Sequence, residues 1–102
     1  MFLGMFTEYG ADNGVSMKEH FESNSYAGQE HIVEYLKRHG KPTMARMKRA
    51  TDRITGEKIN GLLSLELLTD GKFEWYNDLA YHVEKYNLRL PKEFEEYVLN
   101  RP

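Results

Sequence analysis

The chain has 102 residues, 40% hydrophobic and 29% charged, with a net charge of −2. That is enough apolar content for one domain over residues 1–102 with a core of its own, and it excludes disorder as the default. Cysteine is absent, which excludes disulfides, a thiolate nucleophile and Cys-ligated zinc.

The opening "MFLGMF" is apolar but far too short to span a membrane, and it lacks the basic leader of a signal peptide. No later run is long and apolar enough for a membrane helix. The expectation is a soluble, cytoplasmic protein with no membrane partner. Residues 1–14 carry three glycines and no clear period, and are expected to form a loosely ordered arm. "SMKE" then offers a capping box, Ser16 with Glu19, for a short helix. "QEHIVEYLKRHG" predicts a firmer one. Ile32, Val33, Leu36 and His39 share a stripe, Glu30 and Glu34 lie near its start, and Lys37 and Arg38 near its end. Gly40 and Pro42 close it.

From Thr43 the period changes to two. Ala45 and Met47 are assigned to one face and Arg46 and Lys48 to the other. The Thr-Gly of "DRITGEK" reads as a turn. "LLSLELL" reads as a second strand with Leu63, Leu65 and Leu67 on one face and Ser64 and Glu66 on the other. Asp-Gly in "TDGK" is a strong hairpin signal, and "KFEWY" follows with Phe73 and Trp75 on one side. Asn77 is read as the N-cap of "DLAYHVEKY", whose stripe is Leu79, Val83 and Tyr86 with His82 beside it. Pro91 starts the last helix, "KEFEEYVL", with Phe94, Tyr97 and Val98 inward and its glutamates in solvent. The order α-α-β-β-β-α-α predicts an α+β fold, a three-stranded antiparallel meander with helices packed on one face.

"TDGKFEWYNDLAYHVEKYNLRLPKEF", residues 69–94, resembles the closing segment of a family of small uncharacterised bacterial proteins. Its pattern is TDG, an aromatic, a Trp, a tyrosine-rich helix, then Leu-Pro and Phe. "IVEYLKRHG" and "TGEKI" fit the same layout, and the likeness covers about residues 31–98. Some members carry Pro after the Trp where this chain has Tyr76. The resemblance implies the fold and no activity.

The strongest functional signal is charge. Between Lys37 and Lys58 stand eight basic residues and two acids, Asp52 and Glu57, so this window is +6 and the rest of the chain −8. Lys41, Arg46, Lys48, Arg49 and Arg53 are therefore candidates for binding an anion or nucleic acid. The plainer reading is a solvated edge strand whose cations prevent aggregation, neutralised across the sheet by Glu66 or Glu74. A second candidate is an aromatic pocket of Trp75, Tyr81, His82 and Tyr86, set against the reading that these rings are core.

The histidines do not form a zinc motif, "HGKPT" lacks the glycine and strand context of a phosphate loop, and no nucleophile with its base can be assembled. No metal, cofactor or catalytic residue is predicted. The expected function is that of a non-enzymatic accessory or binding domain, with the surface of residues 37–58 facing an anionic macromolecular partner, either nucleic acid or protein. The alternatives are a self-associating module, such as a homodimer, inhibitor or adaptor, and a small-ligand domain using the aromatic cluster.

Overall fold

The computed structural model describes residues 1–101. A 3-10 turn, Met17–His20, precedes helix α1, Gln29–Arg38. Strands β1, Lys41–Arg46, β2, Leu65–Thr69, and β3, Glu74–Tyr76, follow, then helices α2, Leu79–Tyr86, and α3, Lys92–Leu99. The strands form one antiparallel sheet in the order β1-β2-β3. The α+β meander read from the sequence is the observed fold.

The two faces of the sheet bury different sets of side chains, as the alternation of a strand requires. Leu68 and Trp75 are register partners and join the main core, which includes Phe73 just before β3 and Ile32, Leu36, Val83, Phe94 and Val98 from the three helices. Leu65 lies on the other face and belongs to a smaller cluster with Ala50 and Ile59, against which Tyr76 and Tyr81 pack. Phe2 and Tyr9 also close on the Tyr76 ring, at 5.7 and 5.9 Å between centroids. The second face is therefore covered at β3 and at the start of β2. There the sheet offers no bare face for self-association.

Local chemistry explains several elements. The Ser16–Glu19 capping box is formed, with Ser16 Oγ accepting from Lys18 N and Glu19 Oε2 accepting from Ser16 N. At the β2–β3 hairpin, Asp70 Oδ1 accepts from Lys72 N and Phe73 N, and Gly71 takes φ 99°, which a Cβ would oppose. Gly40 follows the C-cap of α1 for a different reason. Its φ is not positive, and an added Cβ would lie 2.8 Å from Leu68 Cβ and 2.9 Å from the Trp75 ring.

Five expectations are corrected. Residues 1–14 are no loose arm: Leu3 and Phe6 are buried in the main core. Leu3 N donates to Glu74 O and Glu74 N to Met1 O, so the N-terminal chain lines the outer edge of β3. The β1–β2 link is no tight turn but residues 47–64, so Lys48, Arg49 and Arg53 lie beyond the strand. Met47, assigned with Ala45 to the face opposite Arg46 and Lys48, is fully exposed, as Leu63 largely is. Asn77 does not cap α2; its Oδ1 accepts from Glu66 N and its Nδ2 donates to Ser64 O. Glu95, expected in solvent, is buried, with its carboxylate receiving two bonds from Arg89 and one from Leu90 N.

Candidate functional site

The connection 47–64 is fastened to α2 by two buried aspartates. Asp52 Oδ1 accepts from Ile54 N at 2.8 Å and Thr55 N at 3.0 Å, the closure of an Asx turn. Its Oδ2 accepts from Tyr86 OH at 2.6 Å, Tyr81 OH at 2.8 Å and Lys85 Nζ at 3.4 Å. Burial alone would raise the Asp52 pKa. The Tyr86 and Tyr81 hydroxyls and the Thr55 and Ile54 amides outweigh it and hold the carboxyl well below the usual range. Tyr86 moves the other way, pushed up to about 12 by burial and by the carboxylate it serves.

Asp78 is the second anchor. Its Oδ2 accepts from Arg53 Nε at 2.7 Å and its Oδ1 from Tyr9 OH at 2.9 Å. The Arg53 guanidinium also lies 4.3 Å from the Tyr9 ring centroid and donates to Glu8 O. Arg53 N donates to His82 Nε2 at 2.8 Å, which makes that nitrogen an acceptor and assigns the ring proton to Nδ1, 2.8 Å from Asp78 O. His82 is thus a buried neutral imidazole, and desolvation holds its pKa below the ordinary value.

These bonds separate the aromatic candidates. Tyr81 and Tyr86 meet at Asp52, and His82 lies beside them, its ring 5.1 Å from that of Tyr81. Trp75 faces the main core, with its ring against Tyr35 and Phe94 and its Nε1 donating to Leu36 O at 3.2 Å. The hydroxyls and imidazole nitrogens that a ligand would use are already engaged within the chain. Among the described residues, no group of three or more His, Asp and Glu is placed to hold a metal ion.

The basic candidates divide differently. Arg53 is consumed by Asp78, with 14% of its side chain exposed. Arg49 is half-buried, and its Nε has no hydrogen-bond partner among the described residues. Lys41, Arg46 and Lys48 are exposed and make no ion pair among the described residues. The glutamates that were to neutralise them do not. Glu66 stands opposite Ala45 in the register, on the other face from Arg46, and neither Glu66 nor Glu74 forms an ion pair among the described residues. The Arg46 guanidinium lies 5.9 Å from the centroid of the Tyr76 ring.

β1 itself is exposed at every position from Lys41 to Arg46, with Met44 half in solvent and Met47 just beyond it bare. One of its edges pairs with β2; the other pairs with nothing among the described residues. Met44 and this free edge are the features that the sequence reading missed. The only signal was that "KPTMAR" carries a single large apolar residue, Met44, where a half-buried strand would carry an apolar row along one face.

No helix among the described residues is long and apolar enough to cross a membrane. Compared with protein-family models, curated proteins and solved structures, the chain matches none of them.

Proposed function

We propose that this protein is a binding domain for an anionic macromolecular partner, which docks on β1 and the bend that follows it. The observation that carries this reading is the state of Lys41, Arg46 and Lys48. Each is exposed to solvent along β1 or just beyond it, unpaired among the described residues, while the same chain pairs Arg53 with Asp78 and Arg89 with Glu95. From Lys37 to Thr51 there is no acid at all, and Glu66 is the one carboxylate residue paired with β1 across the sheet, so positive charge outweighs negative over this strand. Such a patch raises the encounter rate with an anionic surface and sets its register, while the negative remainder of the chain repels unselective contact. The exposed Met44 and Met47 add adaptable apolar area beside the charges.

The test is fluorescence anisotropy with two labelled anionic probes, a poly-glutamate peptide and a mixed-sequence single-stranded RNA, at low and at physiological salt. Binding of at least one probe is expected, weakening steeply with salt and lost in the double variant Arg46→Glu, Lys48→Glu. No binding to either probe at low salt, or binding that the double variant retains, overturns the reading.

A further inference from the structure

We propose that the partner is an extended acidic polypeptide that adds to the free edge of β1 as a further strand. This rests on the reading above and specifies its occupant. The first observation is the asymmetry of the sheet. The outer edge of β3 is lined by the chain's own N-terminal residues, through Leu3 N to Glu74 O and Glu74 N to Met1 O. The outer edge of β1 has no such cover among the described residues.

The second observation is the direction of the backbone. Glu66 N donates to Asn77 Oδ1 and Glu66 O accepts from Asn77 N, so both polar groups of Glu66 point toward the β3 side. Ala45 is the register partner of Glu66 across β1 and β2. In an antiparallel pair, residues opposite one another turn their polar groups either both inward or both outward. Ala45 therefore presents its N–H and C=O to solvent, away from β2, as a donor and acceptor for an incoming strand.

The third observation concerns protection. Lys41, Pro42 and the bulge between Pro42 and Met44 blunt the first half of this edge. The second half, Met44 to Arg46, has regular register with β2 and no proline. Protection alone also leaves the exposed Met44 and Met47 without a role. A strand lying along Ala45 would cover them and place its own side chains within reach of Arg46 and Lys48.

Charge selects the occupant. A second copy of this chain would bring another Lys41, Arg46 and Lys48 against the first, with no acid between Lys37 and Thr51 to offset them. An acidic strand reverses that sign. Nucleic acid would satisfy the cations but not the backbone pair at Ala45, and the one ring near Arg46, that of Tyr76, is already stacked on Tyr9.

The experiment uses the full chain and a labelled peptide of about eight residues alternating Glu with Val. Three comparisons are made: wild type against Ala45→Pro, wild type against Arg46→Glu, Lys48→Glu, and the peptide against a copy N-methylated on alternate backbone nitrogens. Proline at an outward-facing edge position removes the donor and keeps every cation. Ala45→Pro and the N-methylated peptide are each expected to weaken binding by about tenfold or more, the loss of one to two hydrogen bonds, and the charge reversal is expected to abolish it.

The N-methylated peptide needs no change in the protein, so it decides the matter even if Ala45→Pro fails to fold. If the charge reversal abolishes binding while N-methylation leaves it unchanged, strand addition is overturned and the electrostatic reading stands. An RNA that binds more tightly than the peptide, and equally to Ala45→Pro, also overturns strand addition. No binding of peptide or RNA at low salt overturns both.

Discussion

Arg46 and Arg53 lie in the same basic stretch and look alike in the sequence, yet the fold treats them in opposite ways. Arg53 is drawn under the N-terminal chain, where Asp78, the Tyr9 ring and Glu8 O surround its guanidinium. Arg46 is left on an edge strand with no carboxylate partner among the described residues. A buried charge must be matched, because removing one member strands the other in a medium that solvates it poorly. An exposed charge is already solvated and owes the fold almost nothing. The first kind of cation is structural and the second is free for a partner. Local charge density does not distinguish them.

The largest effect should come from the buried member. Asp78→Ala leaves Arg53 without its carboxylate and Tyr9 OH without its acceptor. A loss of about 3–5 kcal/mol is expected, a large part of the roughly 5–15 kcal/mol that holds a domain folded. Urea unfolding followed by the fluorescence of Trp75, the only tryptophan, measures it. A loss below about 1 kcal/mol would erase the distinction between the two arginines.

Asp52 should come next. Asp52→Ala removes the acceptor of two backbone amides, two tyrosine hydroxyls and Lys85, and about 2–4 kcal/mol is expected to go with it. It should also change the response to acid. The folded-state pKa values of His82 and Asp52 are both depressed, so in each case the unfolded chain takes up the proton first as pH falls. Stability should therefore decline from about pH 6.5 through His82, and again from about pH 3.9 through Asp52. In Asp52→Ala the second decline should be shallower. It should not vanish, because Glu8 and Asp70 are held low as well: hydrogen bonds from Ser16 and Met17 to Glu8, and from Phe73 and Tyr35 to Asp70, outweigh their desolvation. An unchanged low-pH arm in equilibrium unfolding at a series of pH values would show that Asp52 is not the group responsible.

The same contrast explains what could be read in advance. Helix α1 was legible because burying Ile32, Val33 and Leu36 needs no partner beyond a periodic stripe. The β2–β3 hairpin was legible because Asp70-Gly71 carries its own geometry. The Thr55-Gly56 signal was also genuine, but it joins the wrong segments. It closes a small loop within the connection, with Gly56 N donating to Asp52 O, Asp52 N to Glu57 O, and an isolated bridge between Thr51 and Lys58. The burial of Leu3 and Phe6 was hidden because both lie on irregular backbone, where no period records it. The fate of each cation was hidden because it depends on partners distant in sequence: Asp78 and Tyr9 for Arg53, and for Arg46 the lack of a paired carboxylate among the described residues. The basic surface was therefore legible as a region, and its division into structural and free charges was not.

The smallest expected effect is the one that sharpens the comparison most. Reversing both exposed cations, with Arg46→Glu and Lys48→Glu, should change folding stability by no more than about 0.5 kcal/mol, because neither side chain holds a carboxylate among the described residues or fills the core. Only the contact of Arg46 with Tyr76 is lost, at 5.9 Å and in solvent, where such pairs contribute little. A slight gain is even in the arithmetic, since two negative charges would enter a stretch that has none between Lys37 and Thr51. The measurement is the same urea unfolding used for Asp78→Ala. A loss above about 1 kcal/mol would mean that β1 depends on these side chains for its own pairing, and the abolished binding could then no longer be credited to charge. A null effect on stability, beside a complete loss of binding, separates the surface from the scaffold: Lys41, Arg46 and Lys48 then serve a partner, while Arg53 serves the fold.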